Sequence, residues 1–201
     1  MINRRRLLAA PLFLTAPLFV AGCGLSERPY AERRQWPLMP RRPRAERPRN
    51  TGPVLLVRTV RAGPGLESRG LQSLAPDGSI RSEFYEEWAV PPAQGTEEAL
   101  RFWLADSGMF SAVLAPGSRL EADQVLEAEL TSLWTIPATG QAHCALGITV
   151  VAERGTSHRV LLQQRMAAET PLAGTSAREA VEAQSAALAA VLAQIEVALR
   201  R

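Results

Sequence analysis

Cys23 is the residue in this chain whose neighbours point most directly to chemistry. It follows Val20-Ala21-Gly22 and ends an apolar run that begins after Arg4-Arg5-Arg6. A thiol placed behind two small residues, with cleavage between Gly22 and Cys23, suits thioether formation to a diacylglycerol and further acylation of the new N-terminus. The three arginines supply the positive region that stays cytoplasmic. Leu7 to Val20 is an apolar stretch of 14 residues, shorter than the about 20 that cross a bilayer core. An ordinary signal peptide with a chance cysteine, or an uncleaved anchor helix, are the alternatives; Pro11 and Pro17 weigh against the helix. Buried methylenes contribute about 0.8 kcal/mol each, so two or three acyl chains hold firmly where one does not. Gly24 follows the cysteine where an Asp would favour inner-membrane retention, so the expected address is the periplasmic face of the outer membrane.

Other reactive residue types form no constellation. The chain has no GxSxG, HExxH, P-loop or GxGxxG pattern, which are the spacings that hydrolysis, zinc or nucleotide chemistry needs. His143 and His158 are the only histidines. His143 beside Cys144 lacks the spacing of a metal site, and Cys144 sits in an apolar stretch as a small buried hydrophobe. With Cys23 acylated, Cys144 has no intramolecular disulfide partner. Asp106-Ser107-Gly108 reads as a helix end. Glu86-Glu87 and Glu97-Glu98 read as solvated charges or helix-start acids. The expectation is therefore a protein that is not an enzyme and carries no cofactor or metal.

Charge excludes a second class. The chain has 23 basic and 20 acidic residues, and residues 1–22 carry three of the arginines. The mature chain of 179 residues is then balanced, so the basic isoelectric point does not argue for nucleic acid. Residues 28–49 hold eight arginines against two acids, and residues 50–201 hold 12 against 17. A Pro-rich, basic tether over residues 23–52 thus joins the acylated cysteine to an acidic domain over 53–201. Such a tether acts as a spacer, or its arginines lie against anionic headgroups at about 1 kcal/mol each.

The elements that follow set out the domain. Val54 to Val60 is β-rich and Gly70 to Leu74 is a shorter strand; Pro76-Asp77-Gly78-Ser79 then turns the chain into an alternating strand, Ile80 to Trp88. Thr96 caps a helix to Ser107, with Gly108 to stop it. Phe110 to Leu114 is a brief extended piece. Gln124–Ile136, Gln141–Val151 and Arg159–Thr170 form an antiparallel meander. Ser176 and Glu179 make a capping box before a helix whose stripe is Ala177, Val181, Gln184, Leu188, Val191, Leu192, Ile195 and Leu199. This order predicts a two-layer α+β domain, a largely antiparallel sheet with two helices packed on one face.

One passage carries a family likeness. The strand ending in Trp88, the Pro91-Pro92 step, the helix with Leu100 and Leu104, then Ser107-Gly108-Met109-Phe110 and Val113, resemble the ABC-type transport auxiliary lipoprotein family, which includes the lipoprotein of the paraquat-inducible operon. The likeness runs over about residues 54–199 in order of elements. It implies a non-enzymatic partner of an ABC permease and ATPase working with a mammalian-cell-entry-type substrate-binding protein, in transport of phospholipids or other hydrophobic compounds between membranes. Homo-oligomerisation stays open. Among the tryptophans, Trp88 with Pro91 and Pro92 is the expected exposed partner contact, since a strand end with two prolines makes poor core; Trp103 and Trp134 are further candidates. Two alternatives remain: a lipoprotein that itself binds a hydrophobic ligand in a cavity, and an envelope-stabilising lipoprotein that binds cell wall.

Overall fold

The computed structural model describes residues 32–43, 52–154 and 157–200. Cys23, Gly22, the apolar leader and Tyr30 lie outside the described residues. So do residues 44–51 of the expected tether and the tip of the turn after Glu153.

The described residues build one mixed sheet of nine strands and two helices. The α+β class is as expected; the sheet is antiparallel in its long ladders but mixed, with five short parallel pairings. Its organising strand is β7 (Gln124–Ile136). On one edge β7 pairs antiparallel with β8 (Gln141–Arg154), and β8 pairs antiparallel with β9 (Ser157–Pro171). This is the meander read from alternation and turns.

The other edge of β7 was not legible. There the chain lays three short strands one after another in the direction of β7: β2 (Val54–Val57) beside residues 124–126, β3 (Arg61–Ala62) beside 129–130, and β4 (Gly70–Leu74) beside Thr135. Between β2 and β3 the backbone steps off the ladder, and Val60 N–H donates to the Glu97 carboxylate at 3.2 Å instead. That step splits the single strand expected over Val54–Val60. Gly63 closes the passage, donating to Leu130 C=O at 2.8 Å. A Cβ on Gly63 would lie 2.8 Å from that same carbonyl oxygen, closer than a side chain allows.

β5 (Ile80–Trp88) returns antiparallel to β4. β6 (Ala112–Leu114) pairs parallel with β2. The remaining strand corrects the reading of residues 23–52 as tether throughout. β1 (Arg34–Trp36) pairs parallel with β5, setting Arg34 beside Glu86 and Trp36 beside Trp88.

Helix α1 (Pro92–Ala105) starts four residues before the expected Thr96 cap. Pro91 is the N-cap and Pro92 the first helical residue, where proline's fixed φ and missing N–H cost nothing. Thr96 is fully buried inside the helix. Gly108 at φ 69° ends the unit, as its sequence position suggested. Helix α2 (Ala177–Leu199) opens with the reciprocal Ser176–Glu179 capping box. It is long and apolar enough to cross a membrane by composition, but Val181, Gln184, Leu188, Val191, Leu192 and Ile195 are buried in the protein. α1 lies against β2, β3, β6 and β7, and α2 against β4, β7, β8 and β9. Leu126, Leu130 and Leu146 from the sheet join Leu100 and Leu104 of α1 and Leu188, Leu192 and Ile195 of α2 in one core, all essentially unexposed.

Candidate functional site

Trp88 is not an exposed contact. It is 1% exposed, and its backbone N–H donates to Arg69 C=O at 2.7 Å. The two prolines after it do not peel the strand away from the core; they start α1, and Pro92 is itself buried. Pro91 is half-buried. The feature they frame is an apolar groove on the neighbouring surface.

That groove, of about 480 Å³, lies between residues 37–42 and α1, and Leu38, Met39, Val90, Ala99 and Phe102 line it. Met39 is 66% exposed and Phe102 62% exposed. Leu38 sits over Gly95 of α1, where an added Cβ would stand 3.3 Å from Leu38 Cβ. A glycine inside a helix forgoes about 1 kcal/mol of propensity; here it admits the leucine that pins the segment down.

Two carboxylates fasten the same segment to the domain. Glu86 accepts from Arg34 Nε at 2.8 Å and from Trp36 Nε1 at 2.7 Å. Gln35 and Arg69 both donate to Glu87 at 3.0 Å. At the far end, Glu196 accepts from Arg42 Nη2 at 2.8 Å, from Trp103 Nε1 at 2.8 Å and from Arg200 Nη2 at 2.7 Å. Burial alone would raise the Glu196 carboxyl, but the hydrogen bonds from Arg42, Arg200 and Trp103 outweigh it and hold the group below its ordinary value. Glu86, Glu87 and Glu97 are therefore structural acceptors rather than the solvated charges or helix-start acids expected. No periodicity announces this, because each partner lies at least 18 residues away.

The other aromatic and sulfur candidates separate. Trp103 is buried as the donor to Glu196. Trp134 stacks on His143 with ring centroids 5.8 Å apart. Cys144 is fully buried, and desolvation pushes its thiol up to about 12, so it is inert. Among the described residues no group of three or more His, Cys, Asp and Glu side chains is placed to hold a metal. The arrangement offers an exposed apolar groove rimmed by Met39 and Phe102.

A protein of Xanthomonas campestris from family DUF330 superposes with a TM-score of 0.64 at 18% identity, over 75% of this chain and 88% of that one. An uncharacterised protein gives a TM-score of 0.62 at 16% identity, over 84% of this chain and 97% of the other. A hypothetical protein of Chlamydia trachomatis gives 0.51 at 13% identity, over 73% and 96%. At these identities the likeness establishes the fold alone. No curated protein matches the sequence. A family model described as the ABC-type transport auxiliary lipoprotein component matches residues 37–196. The matched stretch takes in the groove, α1 and α2 as far as Glu196, and the chain belongs to the ABC-type transport auxiliary lipoprotein component family.

Proposed function

We propose that this protein is a non-enzymatic auxiliary of an ABC-type intermembrane transport system for phospholipids or similar hydrophobic compounds, acylated at Cys23 and held at the periplasmic face of the outer membrane. Its domain docks a mammalian-cell-entry-type substrate-binding protein that works with an ABC permease and ATPase. The family match over residues 37–196 carries the reading. The groove rimmed by Met39 and Phe102 supports it, since exposed apolar clusters mark interaction surfaces. The two-layer arrangement, with both helices on one sheet face, belongs to the same proposal. It is supported by the Trp103–Glu196 contact between the helices and by the exposed Arg58–Glu127 and Arg61–Glu129 pairs on the sheet.

An anchored docking domain gains local concentration of its partner without any new contact. Crosslinking and pull-down of the acylated protein should recover the mammalian-cell-entry-type partner, and Phe102→Asp should lose it while the domain stays folded. Cys23→Ser should leave the domain folded and move it from the membrane fraction to the soluble periplasm. Recovery of only porins or peptidoglycan, or full complementation by the soluble form, would overturn the reading.

A further inference from the structure

The β4–β5 hairpin presents an unusual end. Ile80, Phe84 and Tyr85 of β5 are 45%, 63% and 49% exposed. The Phe84 and Tyr85 rings meet edge to face at 5.0 Å, and the Arg33 guanidinium lies 4.1 Å from the Phe84 ring. The parallel pairing of β1 with β5 sets Arg34 beside Glu86. In a parallel pair both strands advance together, so the chain before Arg34 comes from the side of the Pro76–Ser79 turn at the hairpin tip. Ten Cα–Cα steps lead from Cys23 to Arg33, and fully extended they reach at most about 36 Å. An anchor on Cys23 is therefore bound by chain length to within about 36 Å of Arg33.

We infer that the outer part of the hairpin, from Ile80 at the tip to Phe84 and Tyr85 about 13 Å further along β5, rests against the headgroup region of the bilayer that holds Cys23, and thereby orients the domain. This rests on the reading of Cys23 as acylated. Aromatic side chains with one polar end favour that interface. The charged groups around the tip nearly balance, with Arg33, Arg34 and Arg81 against Glu32, Asp77, Glu83 and Glu86. Attraction therefore comes from the rings, and it varies little with salt. Three apolar side chains hold a free protein poorly, but they suffice to bias the orientation of one already tethered. With the tip down, residues 37–42 leave β1 at the other end of β5. Arg42 and Glu196 lie there, so the groove points away from the lipid.

The acylated full-length protein in phosphatidylethanolamine–phosphatidylglycerol vesicles tests this. Cys144 is buried and Cys23 is occupied by lipid, so a single environment-sensitive dye goes on Ile80→Cys or, at the loop before β7, on Leu120→Cys. The position-80 dye should shift to the blue and be quenched by lipid-borne quencher, at low and high salt alike. The position-120 dye should do neither. Phe84→Ser with Tyr85→Ser should abolish the position-80 response while the protein still floats with the vesicles. A water-exposed dye at position 80 on floating protein overturns the inference alone, as does equal quenching at 80 and 120. Protein that floats no better than Cys23→Ser overturns the anchoring reading, and the inference with it.

Discussion

Arg42 Nη2 meets Glu196 Oε1 at 2.8 Å across a sequence separation of 154 residues, with both side chains almost closed to solvent. The pair joins the stretch after β1 to the last turn of α2, and Trp103 Nε1, at 2.8 Å from the same carboxylate, adds α1. One carboxylate thus fastens three parts of the fold beside the groove. Residues that composition assigned to a loose tether are held at both ends, by Glu86 and by Glu196. Of residues 23–52, only 23–31 and 44–51 remain outside what the structure describes.

Removing the guanidinium exposes how much this latch matters. Arg42→Ala leaves Glu196 with two donors but without its nearest buried cation, at a cost of about 2 kcal/mol. Thermal denaturation should show the loss. Hydrogen exchange should show it confined first to residues 37–43, with α2 protected. Unchanged exchange in that segment would mean that Leu38 on Gly95 holds it alone.

The latch is also acid-sensitive, with a definite sign. The Glu196 carboxyl lies below its ordinary value of 4.5 in the folded protein. Near pH 4 the unfolded chain therefore binds more protons than the folded one. The stabilisation is present above about pH 4.5 and is lost as pH falls through the lower folded value. Urea midpoints between pH 6 and 3 should fall more steeply for the parent than for Glu196→Gln.

Cys144 titrates in the opposite direction. Its thiol rises from 9.0 to about 12 on burial, so the folded state keeps a proton that the unfolded state releases. The thiol's contribution to stability is present below pH 9 and lost as pH climbs toward 12. A neutral thiol reagent at pH 8 should label Cys144 only at the rate of global unfolding. Prompt labelling of native protein would show that the strand around it opens.

Two aromatic substitutions separate fold from docking. Trp88→Ala removes a fully buried indole, and such truncations cost about 3–5 kcal/mol, so its melting point should drop sharply. Phe102→Asp changes an exposed ring and should leave the melt within about 0.5 kcal/mol of the parent. The sequence reading took Trp88 for the exposed contact, which its burial corrects. A Trp88→Ala variant that folds with an unchanged melt but loses partner capture would restore that reading.

Local chemistry was legible from sequence wherever a few neighbouring residues settle it. The Ser176–Glu179 box, the stripe of α2, the stop at Gly108 and the β7–β8–β9 meander all depend on contacts within about a turn or a hairpin. The acylation proposed at Cys23 rests likewise on adjacent residues, which lie outside the described part of the chain. Trp-x-x-Pro-Pro was recognised as a family mark, but its meaning was misjudged. Proline at the first position of a helix and proline at an exposed strand end share one local pattern, and only the start of α1 at Pro92 distinguishes them.

What tertiary structure alone decided is the use of β7's second edge and the fate of residues 34–42. Parallel pairing of β2, β3 and β4 along β7 has no turn signature, because the partners are tens of residues apart and any β-rich run suits the site. An arginine in a basic, proline-rich stretch looks solvated until a buried carboxylate is brought to it from the other end of the chain. Glu196 does that for Arg42, and the pairing is fixed by packing of α2 against the sheet rather than by anything near Arg42 in sequence.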